Sequence, residues 1–234
     1  DIIHEVIILK FLSSRKVNVV KFYGLAYDHD DSKLFLILEP LEKNLDEVTI
    51  NNFDNVSKNN GKLPNLEYKK IFYQLLEIVK NLHSFGIIHS YIKPQNLMIK
   101  NDQIKIIDFG LSEFIGISPP KALIRNYNST PFFKAPDDED IYNNRKSFAS
   151  DIYSIGATMI SLITRQYNKI LLEDGLIYFY GNPVPLNDYL KIKLSSDGLD
   201  LLIMCLNSDT HKRISAKDAV KNLYFSDIKS VGLA

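Results

Sequence analysis

Cysteine is almost absent from this chain: of 234 residues only Cys205 carries a thiol. One thiol cannot close an internal disulfide, so a disulfide-stapled scaffold is excluded. Surplus charge is absent too. Lys plus Arg number 28 and Asp plus Glu number 28, a formal net charge of zero. No excess positive field favours nucleic acid or an anionic membrane, and neither is expected as a partner. No apolar run reaches the ~18 residues of a membrane span. No basic-then-apolar leader opens the chain. No Met opens it either, which leaves room for sequence upstream. Arg is scarce, 5 against 23 Lys. With the abundant Ile and Asn, this reads as skewed codon supply, and the Asn-rich stretch 50–60 as a polar loop rather than a prion-like segment. What is present is ordinary: 45% apolar and 24% charged residues. That is enough apolar surface to build a core and offset chain entropy, so bulk disorder is excluded.

Apolar spacing predicts a helix over Ile2–Leu12. Val19–Tyr27 and Lys33–Glu39 read as two strands of a hairpin with the charged turn Asp28–Ser32. Pro40 ends the second strand. Asn44–Val48 reads as one short helical turn. Pro64–Phe85 is the strongest helix, with an apolar stripe of Tyr68, Ile71, Phe72, Leu75, Leu76, Ile78, Val79 and Leu82. Gly86 stops it. Leu97–Lys100 and Gln103–Ile107 are β-type runs joined by Asn101-Asp102, a tight-hairpin signal. From Phe109 to Tyr142, Pro119, Pro120, Pro131 and Pro136 forbid a long helix. A segment of that length without structure of its own is usually functional. Ala149–Thr164, Gly198–Leu206 and Ser215–Leu223 read as helices, the last with Ser215 as its N-cap. No internal repeat is present. Strands lie early and helices late, a segregated α+β plan with a small β-rich part and a larger helical part.

Two short segments carry chemistry. One is His89-Ser90-Tyr91-Ile92-Lys93-Pro94-Gln95-Asn96, the other Asp108-Phe109-Gly110, with the hairpin between them. A carboxylate and an amide carbonyl are hard oxygen ligands suited to Mg²⁺, and a lysine beside them suits a phosphate. In these segments the chain resembles the protein kinases, whose catalytic loop reads H-R-D-L-K-P-x-N and whose metal loop reads D-F-G. Further elements agree. Phe133-Lys134-Ala135-Pro136-Asp137 is similar to the A-P-E element, Asp151-Ile152-Tyr153-Ser154-Ile155-Gly156 to D-x-W-S-x-G, and Asp209–Ser215 to the late D-P-x-x-R-x-S element. Among kinases the chain looks most like the cyclin-dependent kinases. Ile3-His4-Glu5-Val6 with Leu9-Lys10 resembles their regulatory helix, and Gly116-Ile117, Ser150-Asp151-Ile152 and Ser196-Asp197-Gly198 fit as well. The stretch Tyr167–Leu194 is the weakest and looks shorter than its counterpart.

The resemblance implies a kinase fold with a truncated β-rich N-terminal lobe, residues 1–41, and a mainly helical C-terminal lobe, residues 42–234. It implies an ATP and Mg²⁺ site. Asn96 and Asp108 are the implied metal ligands, and Lys93 the cation by the transferred phosphate. Leu38 stands as gatekeeper, Glu39 and Leu41 as hinge backbone groups for adenine, Asn44 near the ribose, and Met98 as the purine floor. Arg213 and Asp137 are an expected structural ion pair. His89 is expected to be a hydrogen-bonded core histidine, and Cys205 a core residue. His4, His29 and His211 are scattered and give no metal spacing. A cyclin-like partner is implied by the first helix alone. An intracellular setting, cytoplasmic or nuclear, is the implied compartment.

The pattern also breaks. Tyr91 sits at the position of the catalytic Asp, and a phenol with an ordinary pKa near 10 is no substitute for a carboxylate base. Ser90 replaces the Arg that reads an activation-segment phosphate, a contact a neutral hydroxyl cannot make; Ser129 and Thr130 are the candidate hydroxyls for such a phosphate. Neither a G-x-G-x-x-G loop nor the strand lysine partnering Glu5 is among these residues. The expected function is a pseudokinase acting as a binding or scaffold module. The alternatives are a serine/threonine kinase with residual activity on a longer native chain, or a non-functional fragment.

Overall fold

In the computed structural model, the described residues are 2–51, 68–115, 131–136, 146–166, 170–179 and 185–230. The architecture is α+β. Helix α1 (Ile2–Ser13) precedes a hairpin of β1 (Phe22–Asp28) and β2 (Lys33–Leu38). Both strands begin or end within three residues of their expected bounds. Val19, expected within the first strand, instead makes an isolated parallel bridge to Ile106. A short strand β3 (Lys43–Asn44) leads into helix α2 (Leu45–Asn51), longer than the single expected turn. Asn44 explains the start. Its Oδ1 accepts from Glu47 N–H at 2.8 Å and its Nδ2 donates to Glu47 Oε1 at 2.9 Å, a reciprocal cap.

Helix α3 (Tyr68–Ser84) buries Ile71, Phe72, Leu75, Leu76, Ile78, Val79 and Leu82, the apolar stripe of the sequence. Residues 64–67 of the expected helix lie outside the described residues. Gly86 follows with φ 73°, a left-handed value that glycine adopts at little cost. Two-residue strands β4 (Ile87–Ile88) and β7 (Glu113–Phe114) pair across the metal loop. Between them β5 (Leu97–Lys100) and β6 (Gln103–Ile106) form the expected hairpin. Asn101 and Asp102 have φ of 50° and 60°, as a type I′ turn requires. β3 extends this pair into a three-stranded sheet, with Asn44 opposite Met98.

Helix α4 (Phe148–Thr164) is buried nearly all round and forms the centre of the helical part. A Ser147–Ser150 capping box starts it. Then come β8 (Ile170–Glu173) and β9 (Leu176–Phe179), a hairpin absent from the sequence reading. Helices α5 (Asn187–Lys191), α6 (Ser196–Cys205), α7 (Ala216–Ala219) and α8 (Ser226–Ser230) close the chain. Ser215 caps α7 by accepting from Asp218 N–H at 3.2 Å. That helix ends at Ala219, and a 3-10 turn at Leu223–Phe225 replaces the expected continuation.

One hydrophobic core joins α1, α2, α3, α4 and the β5–β6 hairpin. Phe22 and Leu38 of the β1–β2 hairpin pack against it, whereas Tyr23, Leu25, Tyr27, Phe35 and Ile37 are exposed. Ile3 and Ile7, one helical turn apart on α1, are exposed too. No helix among the described residues is long and apolar enough to cross a membrane.

Candidate active site

The loop from His89 to Asn96 is held by a buried acid on another element. Asp151, in the first turn of α4, is 1% exposed. Its Oδ2 accepts from His89 N–H at 2.8 Å and from His83 Nε2 at 3.0 Å, and its Oδ1 accepts from Ser90 N–H at 2.8 Å. Burial alone would raise the pKa of this carboxyl. The His83 contact, the charge of His83 and the His89 amide outweigh burial and hold it below its ordinary value. The amide contacts hold Ser90 at φ 67°, a left-handed conformation that costs a non-glycine residue about 1–3 kcal/mol.

His89 is fully buried and structural, as expected. Its Nε2 donates to the Ile107 carbonyl at 3.1 Å, and its Nδ1 accepts from Tyr91 N–H at 3.2 Å. One donor and one acceptor define a neutral ring, and burial pushes its pKa down. The ring also meets Phe109 edge-on at 4.8 Å. A single imidazole therefore ties the catalytic loop to the residues on either side of Asp108.

Asn96 is 6% exposed. Its Nδ2 donates to the Tyr91 carbonyl at 2.8 Å, so Oδ1 is the side chain's acceptor atom. Its backbone carbonyl accepts from Ile107 N–H at 3.0 Å, placing Asn96 beside the start of the metal loop. Asp108 has φ 66°, and its Oδ1 accepts from Gly110 N–H at 3.4 Å. Glu5 reaches the same place from α1, accepting from Phe109 N–H at 3.1 Å. Burial pushes the Glu5 pKa up; the Phe109 amide opposes this and the nearby Asp108 charge adds to it. A Cβ at Gly110 would stand 3.4 Å from Asp108 Oδ1 and 4.0 Å from Glu5 Oε2, so both acids flank that glycine. His4, the neighbour of Glu5, bonds the Ser112 carbonyl at 2.5 Å.

Tyr91 and Lys93 meet directly. Lys93 Nζ donates to Tyr91 Oη at 2.6 Å and lies 4.0 Å from the ring centroid. Ser90 Oγ is buried and has no hydrogen-bond partner among the described residues.

The residues assigned to a purine pocket fall in two groups. Asn44 and Met98 are cross-strand neighbours, and the Asn44 side chain caps α2. Leu38 ends β2, and Glu39 and Leu41 lie on the connection from it to β3. Leu38 and Leu41 pack against the core. The Glu39 side chain points into a cation pair. Its Oε1 accepts from Lys105 Nζ at 2.5 Å and Lys21 N–H at 2.8 Å, and its Oε2 from Lys100 Nζ at 2.9 Å. Burial alone would raise its pKa. The Lys105 and Lys100 ion pairs and the Lys21 amide overcome this and lower it to about 2.

The sequence reading missed the two lysines on Glu39, the anchoring role of Asp151, and Lys146. That lysine donates to the Leu111 carbonyl at 2.8 Å and pairs with Glu113 at 2.9 Å. An acid at the start of an otherwise apolar helix was the available signal for Asp151. Arg213 is buried, donating to the carbonyls of Ala149 and Asn207, each at 2.8 Å. Asp137, its expected partner, lies outside the described residues, as do Gly116-Ile117, Ser129 and Thr130. Cys205 is fully buried, and burial raises its thiol pKa to about 12.

A sequence profile described as the protein kinase domain matches residues 1–225. The chain belongs to the protein kinase domain family. CDPK-related kinase 3 of Arabidopsis thaliana is 28% identical over 233 residues, covering 97% of this chain and 37% of the relative. Mitogen-activated protein kinase kinase kinase 2 of the same plant is 28% identical over 226 residues, covering 93% of this chain and 32% of the relative. The kinase domain thus spans about a third of the length of these relatives. Neither relative carries the name of a cyclin-dependent kinase, the subgroup to which the sequence resemblance points.

Proposed function

We propose that this kinase domain is a pseudokinase, cyclin-dependent-kinase-like in its regulatory helix, that works as a binding or scaffold module. The observation that carries this reading is the Tyr91–Lys93 contact. Where the family resemblance places a carboxylate base, a phenol oxygen instead receives a cation at 2.6 Å. A phenol protonated at neutral pH cannot accept the proton of a substrate hydroxyl. Losing a positioned base costs about 10²–10⁴ in rate.

Asn96 Oδ1 and the Asp108 carboxylate are oxygen donors that fit Mg²⁺ with its remaining ligands from phosphate and water. The Asp108 and Glu5 charges disfavour each other, which a cation would relieve. Among the described residues no group of three or more His, Cys, Asp or Glu converges, so the fit needs a phosphate-bearing partner such as ATP. When bound, that pair would supply the transferable phosphoryl group and its charge neutralisation. The chain's own part is to hold Asn96 through the Tyr91 carbonyl, to hold Asp108 beside it, and to keep His89 neutral between them.

The exposed Ile3 and Ile7 on α1 favour a protein partner of cyclin-like kind on that helix. Co-purification from cells tests this, and recovery of no such fold counts against it. A second reading, a serine/threonine kinase of residual activity, is favoured by one observation. His89, Ser90, Tyr91 and Asn96 are each held in the loop by hydrogen bonds, and a loose phosphoryl-transfer transition state demands little of a base. Transfer of labelled phosphate from ATP to a generic protein substrate separates the two. No transfer above an Asp108→Ala control is expected. Transfer that the control abolishes would favour the second reading.

A further inference from the structure

Tyr91 does more than lack a carboxylate. Its backbone is fixed at both ends, the N–H on His89 Nδ1 and the carbonyl under Asn96 Nδ2. The phenol therefore cannot leave by a backbone swing without breaking the bond that orients Asn96. From this fixed base the ring presents both an oxygen and a π face to one cation. Lys93 Nζ is 2.6 Å from the oxygen and 4.0 Å from the ring centre. Hydrogen bonds from an ammonium are roughly twice as strong as neutral ones, and a ring face adds its own attraction. Both side chains are half-buried, where such contacts exceed their strength in water.

We propose that the Tyr91 hydroxyl is an internal stop for the Lys93 ammonium, so that the residue filling the base position also holds back the cation that would meet a phosphate. The proposal rests on the reading of Lys93 as a phosphate contact, and deepens it. A phosphate group would have to compete with an oxygen already in place. Removing that oxygen while keeping the ring should strengthen phosphate binding, and only through Lys93.

The test uses the full-length protein in four forms: the parent, Tyr91→Phe, Lys93→Ala and the double variant. Phenylalanine keeps the ring volume, so the loop retains its packing. Two readouts are taken. One is the rate at which an amine-reactive acylating reagent labels Lys93, normalised to exposed Lys33. The other is the affinity for ATP·Mg²⁺ from thermal titration. An ammonium pinned against an oxygen and a ring is shielded from reagent. Tyr91→Phe should therefore label Lys93 about tenfold faster, the scale set by one hydrogen bond to a charged group. It should also bind ATP·Mg²⁺ more tightly, and the double variant should show no such gain over Lys93→Ala. Faster labelling with no ATP·Mg²⁺ binding in any form would support the stop and overturn Lys93 as a phosphate contact. Unchanged labelling of Lys93 in Tyr91→Phe would overturn the proposal, whatever the nucleotide does.

Discussion

Two of the lysine–oxygen contacts in this domain are chemically opposite. Beside the connection out of β2, Lys100 and Lys105 meet the Glu39 carboxylate, whose side chain is 2% exposed. In the catalytic loop, Lys93 meets the Tyr91 phenol. The first contact joins full charges and ties β2 to the β5–β6 hairpin. It is reinforced by Glu42, whose N–H donates to the Ile99 carbonyl at 3.2 Å and whose Oε1 accepts from Asn101 N–H at 3.2 Å. The second joins a charge to a phenol oxygen two residues away in the same loop. A buried ion pair is costly to break from one side. A cation on a phenol can be outbid by any anion that reaches it. The domain thus sets a carboxylate against two lysines where two segments join, and a phenol against the lysine of the loop.

The comparison can be broken by substitution. The largest effect is expected away from both lysine sites, at the shared frame. Asp151→Ala removes the acceptor of two loop amides and of His83. It should lower unfolding free energy by about 3–5 kcal/mol in a urea titration. Glu39→Gln comes next, at about 1–3 kcal/mol, because Lys100 remains in contact with water while Lys105 is more covered. For the same reason Lys105→Met should cost more than Lys100→Met, their side chains being 14% and 34% exposed.

Acid sharpens the same contrast. The Glu39 pKa is lowered in the folded chain, from 4.5 to about 2. Its stabilisation is therefore fully present above the unfolded value and is lost as pH falls from about 4.5 towards 2. The difference in unfolding free energy between parent and Glu39→Gln should shrink across that window. A difference that stays constant from pH 6 to pH 2 would remove the charge from the explanation. Tyr91→Phe should have the smallest effect, under about 1 kcal/mol on stability. A loss as large as that of Glu39→Gln would make Tyr91 a structural residue and erase the contrast.

Much of this was legible in the sequence where a local rule decides the outcome. The stripe of α3 and the Asn101-Asp102 turn needed no tertiary information. His89 and Cys205 fell in the core as their neighbours implied. The β8–β9 hairpin was legible and missed. Asp174-Gly175 stands between two β-type runs and takes φ of 50° and 74°, a type I′ signal like the one read correctly at residue 101. The lysine pair on Glu39 was not legible. Lys100 and Lys105 lie about sixty residues away in sequence, on opposite strands of a hairpin, and only the fold brings both to one carboxylate. The role of Asn44 was half-legible. The family resemblance set it near a ribose, whereas its cap on α2 follows from Glu47 three residues later.

In the proposed reading, the Tyr91 phenol, at the position where the family resemblance places a carboxylate base, blocks phosphoryl transfer. The deciding measurement is transfer of labelled phosphate from ATP by the full-length protein and by its Tyr91→Asp variant, each beside an Asp108→Ala control. The expected result is no transfer by the parent and transfer by Tyr91→Asp that the control abolishes. Transfer by the parent at the rate of Tyr91→Asp, lost in Asp108→Ala, would contradict it.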